Sequence, residues 1–409
     1  MEIAFSNFTS EIDLSYYLPK KDFILVTIPC YAEEDLLITL MSLDECEDCG
    51  LIPVVILLIN SPSEISGQYL ALNKKVYREV QTTVFCKIKV IPIHINDIPI
   101  KLAGVGMARR IAMDLANQIY SKYKKDHFPI LCLDADSKVE INYFIELVDY
   151  FNKNPELAAV SIHFEHPYNE VNDTELRNGI IDYELHLRYF IEAQRWAGHP
   201  HAFHTIGSSM AVRSDQYRLQ GGMNKRKAGE DFYFLHKFSR IGKLADLNTT
   251  TVYPGVRVSD RVPFGTGKAL QDIKNGLNFK TYSVDTFEDL KKIIDSLNKF
   301  QMDDIQSIDQ LFPETFLSCF GIEKIRAELK ESYKNSSSHE NFKKRFYYWF
   351  DAFKVFKYAH YCRDHHYPNQ TVFEAINLFF KQTMGCSGFS TKENALKYLR
   401  QASKLHTFP

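Results

Sequence analysis

The stretch Ile130-Leu131-Cys132-Leu133-Asp134-Ala135-Asp136-Ser137 constrains this chain more than any other. Four apolar residues in succession, without alternation, mark a strand buried on both faces of a parallel sheet. Two carboxylates follow where such a strand leaves the sheet. On an extended backbone, residues two apart point the same way, so Asp134 and Asp136 face one space and Ala135 faces away. Carboxylates that close repel unless a cation lies between them, and hard oxygen ligands suit Mg²⁺ or Mn²⁺. Open α/β sheets bind ligands beyond the carboxyl ends of their strands. The reading is a divalent metal gripping a phosphate-bearing substrate; the competing one is a solvated turn that caps a helix.

The segments around this stretch alternate. Phe23–Ile28 reads as a first strand broken by Pro29, and Glu33-Glu34-Asp35 opens a helix with acidic residues where the macrodipole favours them. Strands over 54–59, 87–93 and 158–164 and helices over 66–80, 104–120 and 139–152 continue the pattern. Such alternation predicts a mostly parallel sheet with right-handed crossovers. A long helix over 174–196, a strand after Gly207 and a helix opened by Gly229-Glu230-Asp231 follow. From about 283 onward helical periodicity dominates, with a loop at Asn335-Ser336-Ser337-Ser338. The expected organisation is a surface leader over 1–21, an α/β domain over 22–275 and a mainly helical region over 276–409.

At 409 residues the chain exceeds what one hydrophobic core usually serves, which fits a large domain with an appendage. A formal net charge of −2 gives no general attraction to nucleic acid or anionic membrane, so no nucleic-acid partner is expected. Eight cysteines are scattered, and Cys46-x-x-Cys49 lacks a second pair at zinc-ribbon spacing. With no signal peptide ahead of the first strand and no apolar run of transmembrane length, a reducing cytoplasm is the expected location.

Taken in order, Pro29-Cys30-Tyr31-Ala32-Glu33-Glu34, Gly104-x-x-x-Ala108-Arg109-Arg110, Asp134-Ala135-Asp136, Gly207-Ser208, Gly221-Gly222 and Gly229-Glu230-Asp231 resemble a GT-A glycosyltransferase of family 2. The resemblance covers roughly residues 22 to 270. It implies a GT-A-like sheet flanked by helices, a nucleotide-diphospho-sugar donor and a divalent metal, Mn²⁺ or Mg²⁺, on the Asp-x-Asp motif. By that resemblance Pro29, Tyr31 and Glu33 line the nucleotide, and Gly104 and Arg109 lie near base and diphosphate. The family's base-reading Asp is replaced by Asn60, which leaves the nucleotide open. Arg110 stands where the family commonly has Asn and is left out of the functional set; Lys101 is a further phosphate neighbour.

Glu230 and Asp231 point about 100° apart on a helix, so one can face a cleft while the other pairs structurally. The resemblance places the catalytic base of an inverting transfer at Asp231, with Glu230 binding the acceptor or holding the loop. His204, from His199-x-His201-x-x-His204, is a candidate to complete the metal shell, against polar surface. Trp196 offers a face for a sugar ring, against core packing. Arg257, Arg261 and Lys268 form a basic stretch expected to close over the diphosphate, with Arg261 in the donor set.

The aromatic-basic segment over 342–356 reads as a core helix, ahead of a membrane-surface helix reaching a lipid-linked acceptor. The acceptor stays unidentified, a glycan, a lipid-linked or a small-molecule alcohol, with peripheral membrane contact admitted. Alternatives are a nucleotide-sugar-binding scaffold without turnover and a sugar nucleotidyltransferase. The latter expects a Gly-x-Gly-x-Arg loop after the first strand, which Pro29 to Glu34 is not. An Asp-x-Asp phosphatase ranks lower because three strands precede the motif.

Overall fold

Unbroken apolar runs become the interior strands of a twisted sheet, because only such runs can be buried on both faces. The computed structural model describes residues 1–5, 12–224, 229–258, 265–385 and 387–405. The strands of its main sheet are β1 (Glu2–Ala4), β2 (Phe23–Cys30), β3 (Ile52–Pro62), β4 (Lys89–Ile98), β5 (Pro129–Cys132), β6 (Lys138–Val139), β7 (Ala159–Phe164), β8 (Met210–Arg213) and β9 (Leu244–Tyr253). Among the described residues they form one sheet in the order β1-β4-β3-β2-β5-β8-β7-β9-β6. Neighbours from β1 to β5 run parallel, as do β7 and β9, while β8 and β6 are antiparallel to theirs. The fold is α/β, with a mostly parallel sheet flanked by helices.

Pro29 does not break the first strand. Thr27 O accepts from Leu133 N, so by the alternation of a strand the missing N–H of Pro29 also faces β5. The ladder to β5 ends at Thr27 and Cys132, and nothing is lost there.

Contacts divide the chain into two compact units, Met1–Asn172 with Thr205–Gln271, and Asp173–His204 with Asp272–Pro409. The first holds the sheet with α1 (Leu36–Asp44), α2 (Gly67–Thr82), α3 (Val105–Lys122) and α4 (Tyr143–Lys153). Next in the chain, α5 (Thr174–Ala197) is part of the second unit. The sheet unit resumes with α6 (Ser214–Leu219) and α7 (Glu230–Arg240). After α8 (Thr266–Lys274) come α9 (Val284–Lys299), α10 (Ile308–Leu311), α11 (Glu314–Phe320), α12 (Ile322–Lys334), α13 (His339–Trp349), α14 (Ala352–His365), α15 (Val372–Met384) and α16 (Lys392–Leu405).

Two boundaries differ from the sequence expectation. The leader contributes an edge strand, since Glu2–Ala4 pairs with His94–Asn96. Helix α5, expected within residues 22–275 of the α/β domain, packs instead on α9, α15 and α16. Its buried Glu184 explains this, because the carboxylate takes Arg188 Nε at 2.8 Å and Arg400 Nη2 of α16 at 2.6 Å. A buried carboxylate needs such partners. No helix among the described residues is long and apolar enough to cross a membrane.

Candidate functional site

Strand β5 stops at Cys132, so Asp134 and Asp136 stand on a turn beyond it, closed by Ser137 N–H donating to Asp134 O at 3.2 Å. The expectation of two side chains aligned along an extended strand is therefore replaced by a turn just past the sheet. The carboxylates still sense one another: burial first, then the Asp134 charge, raises the pKa of Asp136. Their side chains remain 37% and 24% exposed, enough to meet a ligand.

Arg109 lies between this turn and the start of α7. It shares a stripe of α3 with Ala112, Met113 and Ala116, which faces inward, and it is 1% exposed. Its Nη2 donates to Asp134 at 2.5 Å and its Nη1 to Glu230. Burial opposes its charge, but Asp134, Glu230 and Asp231 outweigh that and hold its pKa above the usual value. Gly207 is required here. A Cβ at that position would stand 2.6 Å from both terminal guanidinium nitrogens. Arg109 is a buried strut joining the Asp-x-Asp turn to the Glu-Asp helix.

Glu230 and Asp231 occupy the first turn of α7, after Gly229 in the left-handed region at φ 68°. Glu230 is buried on Arg109, whereas Asp231 is half-buried and accepts from Phe232 N at 2.8 Å. Burial and then the Glu230 charge push the Asp231 pKa up to about 7, against the pull of Arg109.

A second guanidinium serves the other aspartate. Arg257 donates through Nε to Asp136 at 3.3 Å and through Nη2 to Glu33. Glu33 is 2% exposed, and burial followed by the Asp136 charge raises its pKa to about 8. It faces Asp136 and Arg257. Gly255 makes room, since a Cβ there would lie 2.7 Å from Asp136 Cγ.

The remaining donor-side residues cluster at the ends of β2 and β3. Pro29 is in β2, and Tyr31 follows it with its ring edge-to-face on Tyr69 at 5.7 Å. Asn60 is buried in β3, its carbonyl accepting from Asn73 Nδ2 at 3.2 Å, and Gly104 directly precedes α3. Arg110, left out of the functional set, pins the glycine loop by donating to Met223 O at 2.6 Å. Arg261 lies outside the described residues.

His199 is buried and its Nε2 donates to Phe350 O at 3.0 Å, and His204 belongs with it to the second unit. No set of three or more His, Cys, Asp or Glu among the described residues is arranged to hold a metal. His204, expected to complete the metal shell, falls in a different unit from Asp134 and Asp136. Trp196 packs edge-to-face on Phe379 at 5.7 Å. Cys46 and Cys49 donate to separate carbonyls, of Ser42 and Leu51.

Sequence reasoning missed the buried position of Arg109 and the whole role of Asn73. A signal existed for both: each sits at the head of an i, i+3, i+4, i+7 stripe, with Ala112, Met113 and Ala116 after Arg109, and Val76, Tyr77 and Val80 after Asn73. A polar side chain on such a stripe must find buried partners.

No protein-family model matches the chain, and no curated protein sequence does. Among solved structures, residues 1–349 of S. aureus TarS in complex with UDP-GlcNAc align over 80% of this chain and 92% of their own length, at 13% identity and a TM-score of 0.40. The mannosyltransferase PcManGT from Pyrobaculum calidifontis, in complex with GDP-Man and Mn²⁺, aligns over 84% and 88%, at 13% identity and a TM-score of 0.39.

Proposed function

We propose that this chain is a metal-dependent, inverting glycosyltransferase that moves a sugar from a nucleotide-diphospho-sugar to an acceptor hydroxyl. One observation carries the reading: Arg109 joins Asp134 of the Asp-x-Asp turn to Glu230 of the Glu-Asp helix. That tie supports reading Asp134 and Asp136 as the phosphate-side pair and Asp231 as the base of one acidic site at the sheet's carboxyl edge.

The donor set suits a hard divalent cation. Glu33, Asp134, Asp136, Glu230 and Asp231 stand against Arg109 and Arg257, a formal excess of three negative charges among the described residues. Asp136 and Asp134 are the residues that would hold Mg²⁺ or Mn²⁺, whose chemistry there is to stabilise charge on the departing nucleoside diphosphate. A pyrophosphate and water would complete the shell, so a third protein ligand is not required.

The chain's own residues do the rest. Asp231, poised near neutrality, accepts the acceptor's hydroxyl proton as that oxygen bonds to the anomeric carbon. The bond from the anomeric carbon to the phosphate oxygen breaks, and its electron pair leaves with the nucleoside diphosphate. Glu230 pairs with Arg109 and fixes the start of α7. The ring of Tyr31 borders the nucleotide.

The test is a panel of nucleotide sugars with Mn²⁺, scored for transfer and for slow donor hydrolysis. The wild type should turn over one donor class, and Asp136→Ala and Asp231→Asn should each lose at least about a hundredfold in rate while remaining folded. Donor binding without turnover in the wild type would make the chain a scaffold, and full activity in both variants would remove the mechanism.

A further inference from the structure

Ala32 is one of three described non-glycine residues with positive φ, at 49°, and it stands between Tyr31 and Glu33. That conformation is unfavourable for a residue with a Cβ and persists only where the surroundings impose it. One side chain contributes directly. Asn73 of α2 is 0% exposed, and its Oδ1 accepts from Ala32 N at 2.8 Å. Its Nδ2 donates to Asn60 O at 3.2 Å and to Ser61 Oγ at 3.0 Å. Ser61 Oγ is in turn 2.9 Å from Nε2 of the buried His94 on β4, whose Nδ1 lies 3.3 Å from Glu2 Oε1 on β1. One amide thus ties the strained loop after β2 to the end of β3, and through Ser61 to β4 and the edge strand.

We propose that Asn73 is the positioning residue of the donor pocket: it holds Ala32 in the left-handed conformation and so aims the Tyr31 ring at the nucleotide. The inference rests on the reading that the loop over 31–33 borders the donor. Asn73 itself touches no substrate. Its amide must present oxygen to Ala32 and nitrogen to Asn60 and Ser61, and the fixed acceptor at Asn60 O permits only that orientation. Without it, the buried backbone N–H of Ala32 loses this acceptor and the loop relaxes toward an ordinary extended conformation. Tyr31 is then lost as a platform, while the carboxylates at the Asp-x-Asp turn and on α7 stay where they are. Donor affinity should fall without a matching fall in the chemical step.

The test compares Asn73→Ala, Ser61→Ala, Ala32→Gly and the double variant N73A/A32G. In each, affinities for UDP and GDP with Mn²⁺ are measured by calorimetry, KM and kcat with the wild-type donor, and amide exchange at residue 32 by NMR. N73A should weaken nucleotide binding and raise donor KM about tenfold, leave kcat within about twofold, and speed exchange at residue 32 at least about tenfold. S61A should show the same pattern more weakly, and it carries the question if N73A does not fold. A32G alone sets the baseline against which the double variant is read. In the N73A background A32G should recover about threefold in affinity, because glycine enters the left-handed region without penalty. General damage to the core would not be repaired by a glycine. Unchanged affinity and exchange in N73A and S61A, or a loss that A32G leaves untouched, overturns the proposal. Nucleotide binding absent even in the wild type would instead overturn the donor-site reading, while fast exchange at residue 32 in S61A would still show the anchor.

Discussion

A single methyl group at position 207 should unseat the buried arginine that organises the site. The three atoms nearest an added Cβ all belong to Arg109, two of them 2.6 Å away. Ordinary contact begins at 3.4 Å, so the guanidinium must withdraw by 0.8 Å, the difference between those values. It has little freedom to do so, being 1% exposed and bonded on one side to Asp134 and on the other to Glu230. Gly207→Ala should therefore stretch or break one of two charge-assisted bonds, at about 1–3 kcal/mol. For a body of this size that lowers Tm by about 2–4 °C per kcal/mol. Arg109→Met should cost more, about 3–5 kcal/mol, because it leaves Glu230 buried without its cation. The decisive measurement is the double-mutant cycle by thermal or urea unfolding. In the Arg109→Met background the methyl group meets a smaller side chain, so Gly207→Ala should cost almost nothing, a coupling of about 1–3 kcal/mol. Additive losses, within about 0.5 kcal/mol, would refute the placement of Arg109 against Gly207.

Three further outcomes follow from the charges. Asp231 with a pKa of about 7 must ionise to act as base, so kcat should climb through neutrality and level off above it, and Arg109→Met should move that limb upward because a cation that favours the carboxylate is gone. Glu33 is raised to about 8, so the folded state binds its proton more tightly than the unfolded chain. Its stabilising contribution is complete below the unfolded value near 4 and is lost as pH rises through 8. Glu33→Gln should accordingly gain stability over the wild type at pH 9 and show no gain at pH 4, as read by Tm at each pH. Arg257 neutralises Asp136 and Glu33, so it competes with any cation there. Arg257→Gln should tighten Mn²⁺ binding by about threefold to tenfold in calorimetry, and weaker binding would mark Arg257 as a partner of the bound state.

The contrast between what the sequence announced and what it hid has one physical origin. Strands β2, β3 and β5 are read easily because a parallel sheet covered on both faces demands largely continuous apolar runs, whereas β4 is interrupted by His94, and β7 by Ser161 and His163. Strand β9, Leu-Ala-Asp-Leu-Asn-Thr-Thr-Thr-Val-Tyr, alternates poorly and mixes buried with exposed positions. Strands β1 and β6 span three and two residues and exist only through partners far along the chain, which no local pattern encodes.

The site divides in the same way. Asp134, Asp136, Glu230 and Asp231 stand out because paired acids at an element's edge are conspicuous, but their grouping depends on Arg109, whose motif alone reads as a surface arginine. The stripe decides otherwise. Arg109 leads Ala112, Met113 and Ala116 on α3, just as Asn73 leads Val76, Tyr77 and Val80 on α2. A guanidinium or an amide carried inward on an apolar face cannot be left unsatisfied, since that costs more than most single contacts return. Each must therefore have recruited partners from elsewhere in the chain, and both did: two carboxylates for Arg109, and a strained amide, a carbonyl and a hydroxyl for Asn73. A polar residue at the head of a buried stripe thus predicts a long-range tie, and here the two ties hold the two ends of the candidate site, the acidic turn at one and the aromatic loop at the other.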